Sequence, residues 1–158
     1  MKPIKINCIK ELDKNLGIPI VFVELHGAGK FGFNFLIDTS VRHNLLDPCF
    51  YKEWIMPQSE ETVLPPPLAQ YLPVTASYQE KGKKRVICKD GVRRVCDMIK
   101  LDFEIDGKKY SELFALDPSL CPCFHSKGSK AVAGVLGNGF FVKHGWILDY
   151  SAVKITKV

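Results

Sequence analysis

The sequence lacks the features that would place the chain in a membrane or in a helical fold. No stretch approaches the ~20 consecutive apolar residues that a membrane-spanning helix needs. Residues 1–10 carry charges but no apolar segment of the kind found in a signal peptide. Long helical periodicity of apolar residues is also absent. We therefore expect a cytoplasmic protein that makes no membrane contact and is not built from long helices.

Signatures of phosphate binding and of duplication are missing as well. The glycine-rich stretch at residues 26–30 is not followed by Gly-Lys-Ser/Thr, and a strand rather than a helix is predicted after it. No segment is repeated within the 158 residues. These absences exclude a phosphate-binding loop at this position and a protein made of two duplicated halves.

Cysteine is present, but its spacing does not point to one role. The chain has six cysteines and no Cys-x-x-Cys pair. A chain of this length can bury a core without disulfides, so reduced cysteines are the simpler interpretation. Cys88 and Cys96 flank a predicted hairpin and would face each other across it. Cys121, Cys123 and His125 form a Cys-x-Cys-x-His segment with three zinc-binding side chains, but no second knuckle accompanies it. We predict no metal, and a small zinc-stabilised binding module stays an alternative.

Positive charge is in excess but is mostly scattered. The formal net charge is +5, and the densest run is Lys81-Gly82-Lys83-Lys84-Arg85. Charge alone argues for solubility more readily than for a binding site. We predict a solvated, charged hairpin here and no nucleic-acid partner, with a binding patch as the alternative.

Short β-type segments separated by turn residues make up most of the chain. The strongest strand predictions cover residues 18–25, 31–37, 98–105 and 110–116, with a strand at residues 74–87 that the basic run interrupts as a turn. Lys89-Asp90-Gly91 and Asp106-Gly107 are tight-turn signals. Short helices are expected at residues 49–56 and 139–143. The pattern predicts one all-β domain spanning residues 1–158, built from hairpins as a small closed barrel with one short helix near the C-terminus.

An acid follows a run of apolar residues in the segment Phe33-Asn34-Phe35-Leu36-Ile37-Asp38-Thr39-Ser40. The pattern predicts a carboxylate at the end of a buried strand, where the chain turns. Burial of an acid is costly unless it is hydrogen-bonded or shared with another group, and such residues are concentrated at functional sites. An ordinary turn in which Asp38 caps nearby amides is the alternative.

Asp38-Thr39-Ser40, together with the later segment Val135-Leu136-Gly137, resembles the two motifs of the retropepsin-like aspartic proteases. In that family a strand delivers Asp-Thr-Gly, and an apolar-apolar-glycine segment packs across it. Asp38 and Thr39 match the first motif, and Ser40 stands where the family has glycine. The resemblance covers roughly residues 18–155, with a poorly matched middle, and it implies an acid-protease-type closed barrel.

The resemblance implies an aspartic endopeptidase that acts on polypeptide without a cofactor. The chain has one motif aspartate, so two copies of Asp38 would meet across a homodimer and activate a water molecule. Thr39 would hold the two turns together, and Val135, Leu136 and Gly137 would support them, with Gly137 allowing close backbone approach.

Two further expectations follow from the resemblance. The hairpin at Lys89, Asp90 and Gly91 is the candidate flap that closes over an extended peptide. Ser40 adds a Cβ and a hydroxyl where the family has glycine. The alternative function is therefore a catalytically impaired domain of this type that binds peptides or partner proteins.

Overall fold

The computed structural model describes residues 3–5, 7–9, 18–25, 31–56, 78–120, 132–152 and 154–157. These residues lie mostly in β-strands, and their helices are few and short, which confirms the all-β prediction. The glycine-rich turn at residues 26–30, the strand start predicted at 74–77 and the Cys121-to-His125 segment lie outside the described residues. Among the described residues, no helix has the length and apolar content needed to cross a bilayer.

The strands of the described ranges are β1 (Ile4–Lys5), β2 (Asn7–Ile9), β3 (Ile18–Leu25), β4 (Phe31–Asp38), β5 (Asn44–Leu46), β6 (Tyr78–Ile87), β7 (Arg93–Ile105), β8 (Lys108–Leu116), β9 (Gly134–Gly137), β10 (Trp146–Asp149) and β11 (Lys154–Lys157). The helical elements are α1 (Pro48–Phe50), which continues as a π-helical turn (Tyr51–Ile55), a 3-10 turn (Pro118–Leu120) and α2 (Asn138–His144). The first helical segment overlaps the helix predicted at residues 49–56, and α2 overlaps the one predicted at residues 139–143.

The strands form two hydrogen-bonded sheets. The larger sheet has the order β2-β3-β4-β9-β5-β8-β7-β6, and β3 pairs additionally with β7; the smaller sheet has the order β1-β11-β10. The pairs β4–β9 and β5–β8 are parallel, and all other strand pairs among the described residues are antiparallel. The parallel pairs bring together segments that are distant in sequence, whereas hairpins connect β3 to β4, β6 to β7 and β7 to β8.

The prediction that the basic run forms a turn is wrong. Residues 81–85 continue β6, and all of them are exposed. The irregularity is a shift of register between Glu80 and Lys83, with Gly82 at φ 76°. β6 is the edge strand of the larger sheet, and lysines are common on edge strands because they stay in water there.

Aromatic side chains fill the centre of the fold. Phe114 is fully buried, and its ring meets those of Phe35 and Phe103 edge to face, with centroids 5.8 and 5.7 Å away. Phe140 of α2 lies against Phe103 and against Trp146 of β10, at 6.2 and 4.9 Å. These contacts pack α2 and the smaller sheet against the larger sheet. They stabilise the fold because each ring buries a large apolar surface.

Replacement of Phe114 by alanine should destabilise the fold by about 3–5 kcal/mol, because it leaves a cavity among the rings. Leu113→Ala on the same strand is the matched control, since Leu113 is 48% exposed, and it should cost less than about 1 kcal/mol. Urea denaturation of both variants measures the two costs. Similar losses for the two variants would contradict the packing described here.

Candidate functional site

Asp38 is the last residue of β4, and a strand buried on both faces leads to it. Phe35 and Ile37 belong to one buried cluster and Leu36 to the other. The side chain of Asp38 is 17% exposed, and the next two residues are exposed. The acid therefore lies where a core strand reaches the surface, as the sequence predicts.

β9 lies beside β4 in parallel and carries the second motif. The Cα partners are Leu36 with Val135, Ile37 with Leu136 and Asp38 with Gly137. All three β9 residues are buried. The structure thus brings the two predicted motifs together in adjacent strands, with the glycine directly opposite the acid.

Gly137 is in close contact with the chain that follows Asp38. A Cβ at this position would lie 2.5 Å from the carbonyl oxygen of His43 and 2.7 Å from that of Val41. Real Cβ atoms do not approach oxygen so closely, so a side chain cannot be added without moving the backbone. This contact agrees with the close approach expected of Gly137.

Asn44, which the sequence analysis did not single out, connects three elements below the acid. Its Oδ1 accepts a hydrogen bond from the Gly137 amide at 3.0 Å, and its Nδ2 donates to the carbonyl of Leu113 at 3.3 Å. The residue is 8% exposed. A polar side chain beside two buried leucines is the signal that could have identified it, because buried amides need partners.

Both oxygens of the Asp38 carboxylate accept hydrogen bonds. Oδ1 accepts from the amide of Ser40 at 3.0 Å and from its hydroxyl at 2.5 Å. Oδ2 accepts from the ammonium of Lys89 at 2.6 Å, which is also an ion pair. Ser40 therefore binds the acid directly, and Lys89, predicted only as part of a flap tip, contacts it with its side chain.

These contacts lower the pKa of Asp38. Burial acts in the opposite direction and would raise the pKa, but the hydrogen bonds from Lys89 and Ser40 and the charge of Lys89 together outweigh it. The pKa of Asp38 is consequently below the ordinary value of an aspartate, and the ionised form is favoured.

Thr39 is exposed beside an open groove of about 520 Å³. The groove is lined by residues of α2, β10 and the turn after it, namely Asn138, Phe141, Val142, Gly145, Trp146, Leu148 and Tyr150. Val142 and Tyr150 are 73% and 58% exposed. An apolar surface therefore lies next to the Asp38 turn.

The predicted flap tip, Lys89-Asp90-Gly91, is a tight turn between β6 and β7. The Cys88 amide donates to the Val92 carbonyl at 2.9 Å, and Gly91 has φ 83°, a conformation that favours glycine. Arg94 binds the carboxylate of Asp90 through two hydrogen bonds of 2.9 and 2.8 Å. That fork lowers the pKa of Asp90 to about 2.

Asp117, the residue after β8, holds this turn against the larger sheet. Its carboxylate is completely buried, and Oδ2 accepts a hydrogen bond from the amide of Lys89 at 2.7 Å. Oδ1 accepts from the amide and hydroxyl of Ser119 at 2.9 and 2.7 Å. The sequence analysis missed Asp117, although it follows the apolar residues at the end of β8 and has a serine two positions later, as Asp38 does at the end of β4.

Cys88 and Cys96 face each other below the turn, as expected, with their sulfur atoms 3.7 Å apart. Both are free and buried. Burial raises the pKa of Cys88 to about 12 and also raises that of Cys96. The thiols therefore stay protonated and contribute to packing rather than to chemistry.

Within the described ranges, no group of three or more histidine, cysteine or acidic side chains is arranged to hold a metal ion. Comparison of the chain with models of protein families finds no match, and comparison with curated proteins also finds none.

Gly137→Ala should destabilise the protein by more than about 2 kcal/mol, because the added Cβ overlaps backbone oxygens that cannot move independently. Gly91→Ala is the control, because an added Cβ at this position meets no atom within 4 Å. This variant should lose only about 1 kcal/mol of unfolding free energy, which is the cost of placing alanine at a positive φ. Thermal or urea unfolding compares the two. A smaller loss for Gly137→Ala than for Gly91→Ala would contradict the contact.

Asp38 should stabilise the fold in a pH-dependent way. Because its folded pKa is lowered, the stabilisation is present above the ordinary aspartate pKa of ~3.9 and is lost as the pH falls through the folded pKa. The difference in unfolding free energy between wild type and Asp38→Asn should shrink from pH 7 to pH 2. We expect a change below about 1 kcal/mol, since the ion pair is open to solvent.

Urea denaturation across this pH range measures the effect. Asp97→Asn controls for the loss of a negative charge, since the Asp97 side chain is 58% exposed and 3.7 Å from Lys83. A wild-type-minus-variant difference that is independent of pH would contradict the role of Asp38.

Proposed function

We propose that this chain is a retropepsin-like aspartic endopeptidase that acts as a homodimer. The observation that carries the proposal is the position of Asp38: it ends a doubly buried strand, its partner in the next strand is Gly137, and a serine amide binds its carboxylate. Asp38 is the catalytic group of the proposal, and Thr39 and Ser40 complete its turn. The substrate is polypeptide, and the reaction uses no cofactor.

The pairing of the strands supports a closed barrel of the acid-protease type. Hydrogen-bonded pairs run from β3 to β4, β9, β5, β8 and β7, and the β7–β3 pair returns to the first strand. Such a closed path removes free edges from six strands. The long hairpin β6–β7 projects from this path and ends at the Lys89 turn.

The requirement for a second carboxylate supports the dimer. Aspartic proteolysis uses two acids that share one proton, because like charges this close cannot both ionise. Among the described residues, the Asp38 carboxylate accepts hydrogen bonds from Ser40 and Lys89, and neither is an acid. A two-fold axis through the exposed turn would bring a second Asp38 to the first.

In the proposed reaction one Asp38 of the pair acts as general base and the other as general acid. The ionised carboxylate takes a proton from a water molecule, which attacks the scissile carbonyl carbon, and the protonated carboxylic acid donates to the carbonyl oxygen. The turn at Lys89, Asp90 and Gly91 would cover the extended peptide and exclude water. Val135, Leu136 and Gly137 keep the Asp38 turn in place.

The geometry of Ser40 supports activity despite its departure from the family pattern. Asp106 is the non-glycine residue with positive φ in the described part of the chain, so the backbone at Ser40 is not in the region that requires glycine. The hydroxyl adds a hydrogen bond to Asp38 Oδ1 at 2.5 Å. Serine is therefore compatible with a carboxylate at this turn.

The ion pair with Lys89 favours the second candidate function. A carboxylate that is held ionised by an ammonium at 2.6 Å is a poor partner for proton sharing. A catalytically impaired domain that binds peptides in the same place is therefore the alternative.

Asp38→Asn should reduce peptide hydrolysis by at least about a hundredfold, because the amide cannot act as general base. Asp149→Asn is a matched control, because Asp149 also accepts a hydrogen bond from the serine two positions later but ends β10 rather than β4. Cleavage of mixed synthetic peptides from acidic to neutral pH, monitored by mass spectrometry, measures the effect.

Analytical ultracentrifugation establishes whether the sample is dimeric in the assay. Hydrolysis by the Asp38→Asn variant at the wild-type rate would refute the catalytic role of Asp38. Absence of hydrolysis by a folded, dimeric wild type, with peptide binding retained in both proteins, would favour the binding function.

A further inference from the structure

Lys89 and Asp38 form an ion pair between the hairpin tip and the candidate catalytic group. The ammonium is 2.6 Å from Oδ2, while Ser40 occupies Oδ1. Oδ2 is the oxygen that would otherwise face a water molecule or a second carboxylate. Both carboxylate oxygens of Asp38 therefore accept hydrogen bonds from residues of the same chain.

The turn that carries Lys89 is held in place independently of its side chain. The Lys89 amide donates to the buried Asp117 carboxylate at 2.7 Å, and the Gly91 amide donates to the Cys88 carbonyl at 2.9 Å. The guanidinium of Arg94 binds Asp90 and lies 4.0 Å from Asp117. These contacts position the backbone so that the lysine side chain reaches Asp38.

The ion pair is accessible enough to be exchanged. The side chains of Lys89 and Asp38 are 34% and 17% exposed, so water reaches both of them. Partly exposed ion pairs contribute little net stability, because solvent screens the attraction. A bound peptide can therefore displace the ammonium without unfolding the turn, which stays fastened to Asp117.

We propose that Lys89 is a built-in inhibitor that occupies the Asp38 carboxylate in the resting protein and that a peptide substrate displaces it. This inference rests on the proposed function, since inhibition requires an activity to inhibit. The ammonium excludes proton sharing between two Asp38 carboxylates and blocks the position of the attacking water. Entry of the peptide beneath the hairpin moves the lysine side chain away and frees Oδ2.

Lys89→Met tests the proposal, because methionine keeps an unbranched apolar side chain and removes the charge. We expect the pKa of Asp38, followed by carboxyl-carbon NMR, to rise, because the hydrogen bond and the charge of Lys89 are lost, and kcat/KM for a synthetic peptide substrate to rise roughly tenfold. Lys100→Met is the control, since Lys100 is exposed on β7 of the same hairpin, and both quantities should stay at wild-type values.

The two readouts separate this inference from the proposed function. An unchanged Asp38 pKa in Lys89→Met would overturn the inference whatever the activity. A raised pKa with hydrolysis equal to or below that of wild type would overturn inhibition and leave the lysine a structural or substrate-binding role. A raised pKa with no hydrolysis by any variant would overturn both the inhibition and the proposed function. A raised pKa together with faster hydrolysis that Asp38→Asn abolishes would support both.

Discussion

The parallel pairing of β4 with β9 is the constraint on which the rest of the site depends. It sets Asp38 opposite Gly137, and the missing side chain of the glycine lets the backbone of residues 41–43 lie directly over β9. Asn44 then connects β9 to β8 through two hydrogen bonds. Asp38 therefore lies at the surface on top of tightly packed, buried strands. Functional side chains are positioned precisely when packed elements of this kind support them.

Two aspartates with the same local geometry have different roles in this arrangement. Asp38 ends β4, Asp117 directly follows β8, and each accepts two hydrogen bonds from the serine two positions later. Asp38 has its second oxygen at the surface, where it meets an ammonium, whereas Asp117 is buried and meets a backbone amide. The carboxylate of Asp38 is partly exposed and can exchange its partner, whereas that of Asp117 holds the backbone of the hairpin tip.

The strands with clear local patterns were predicted well, and the exceptions have physical causes. β3 was predicted at its observed bounds, and the Asp106-Gly107 turn joins β7 to β8, because β-branched and aromatic runs between turn residues specify hairpins locally. The basic run at residues 81–85 does not form the predicted turn but continues β6. On an edge strand the lysine side chains stay in water, so charge does not oppose pairing.

The sequence by itself determined that an acid ends a core strand and that an apolar-apolar-glycine segment follows later, since both depend on runs of neighbouring residues. Only the tertiary structure decided what the acid touches. Lys89 and Asp38 are 51 positions apart, and Lys89 and Asp117 are 28 apart. No local pattern encodes such contacts, because they arise when the β6–β7 hairpin folds back against the ends of β4 and β8.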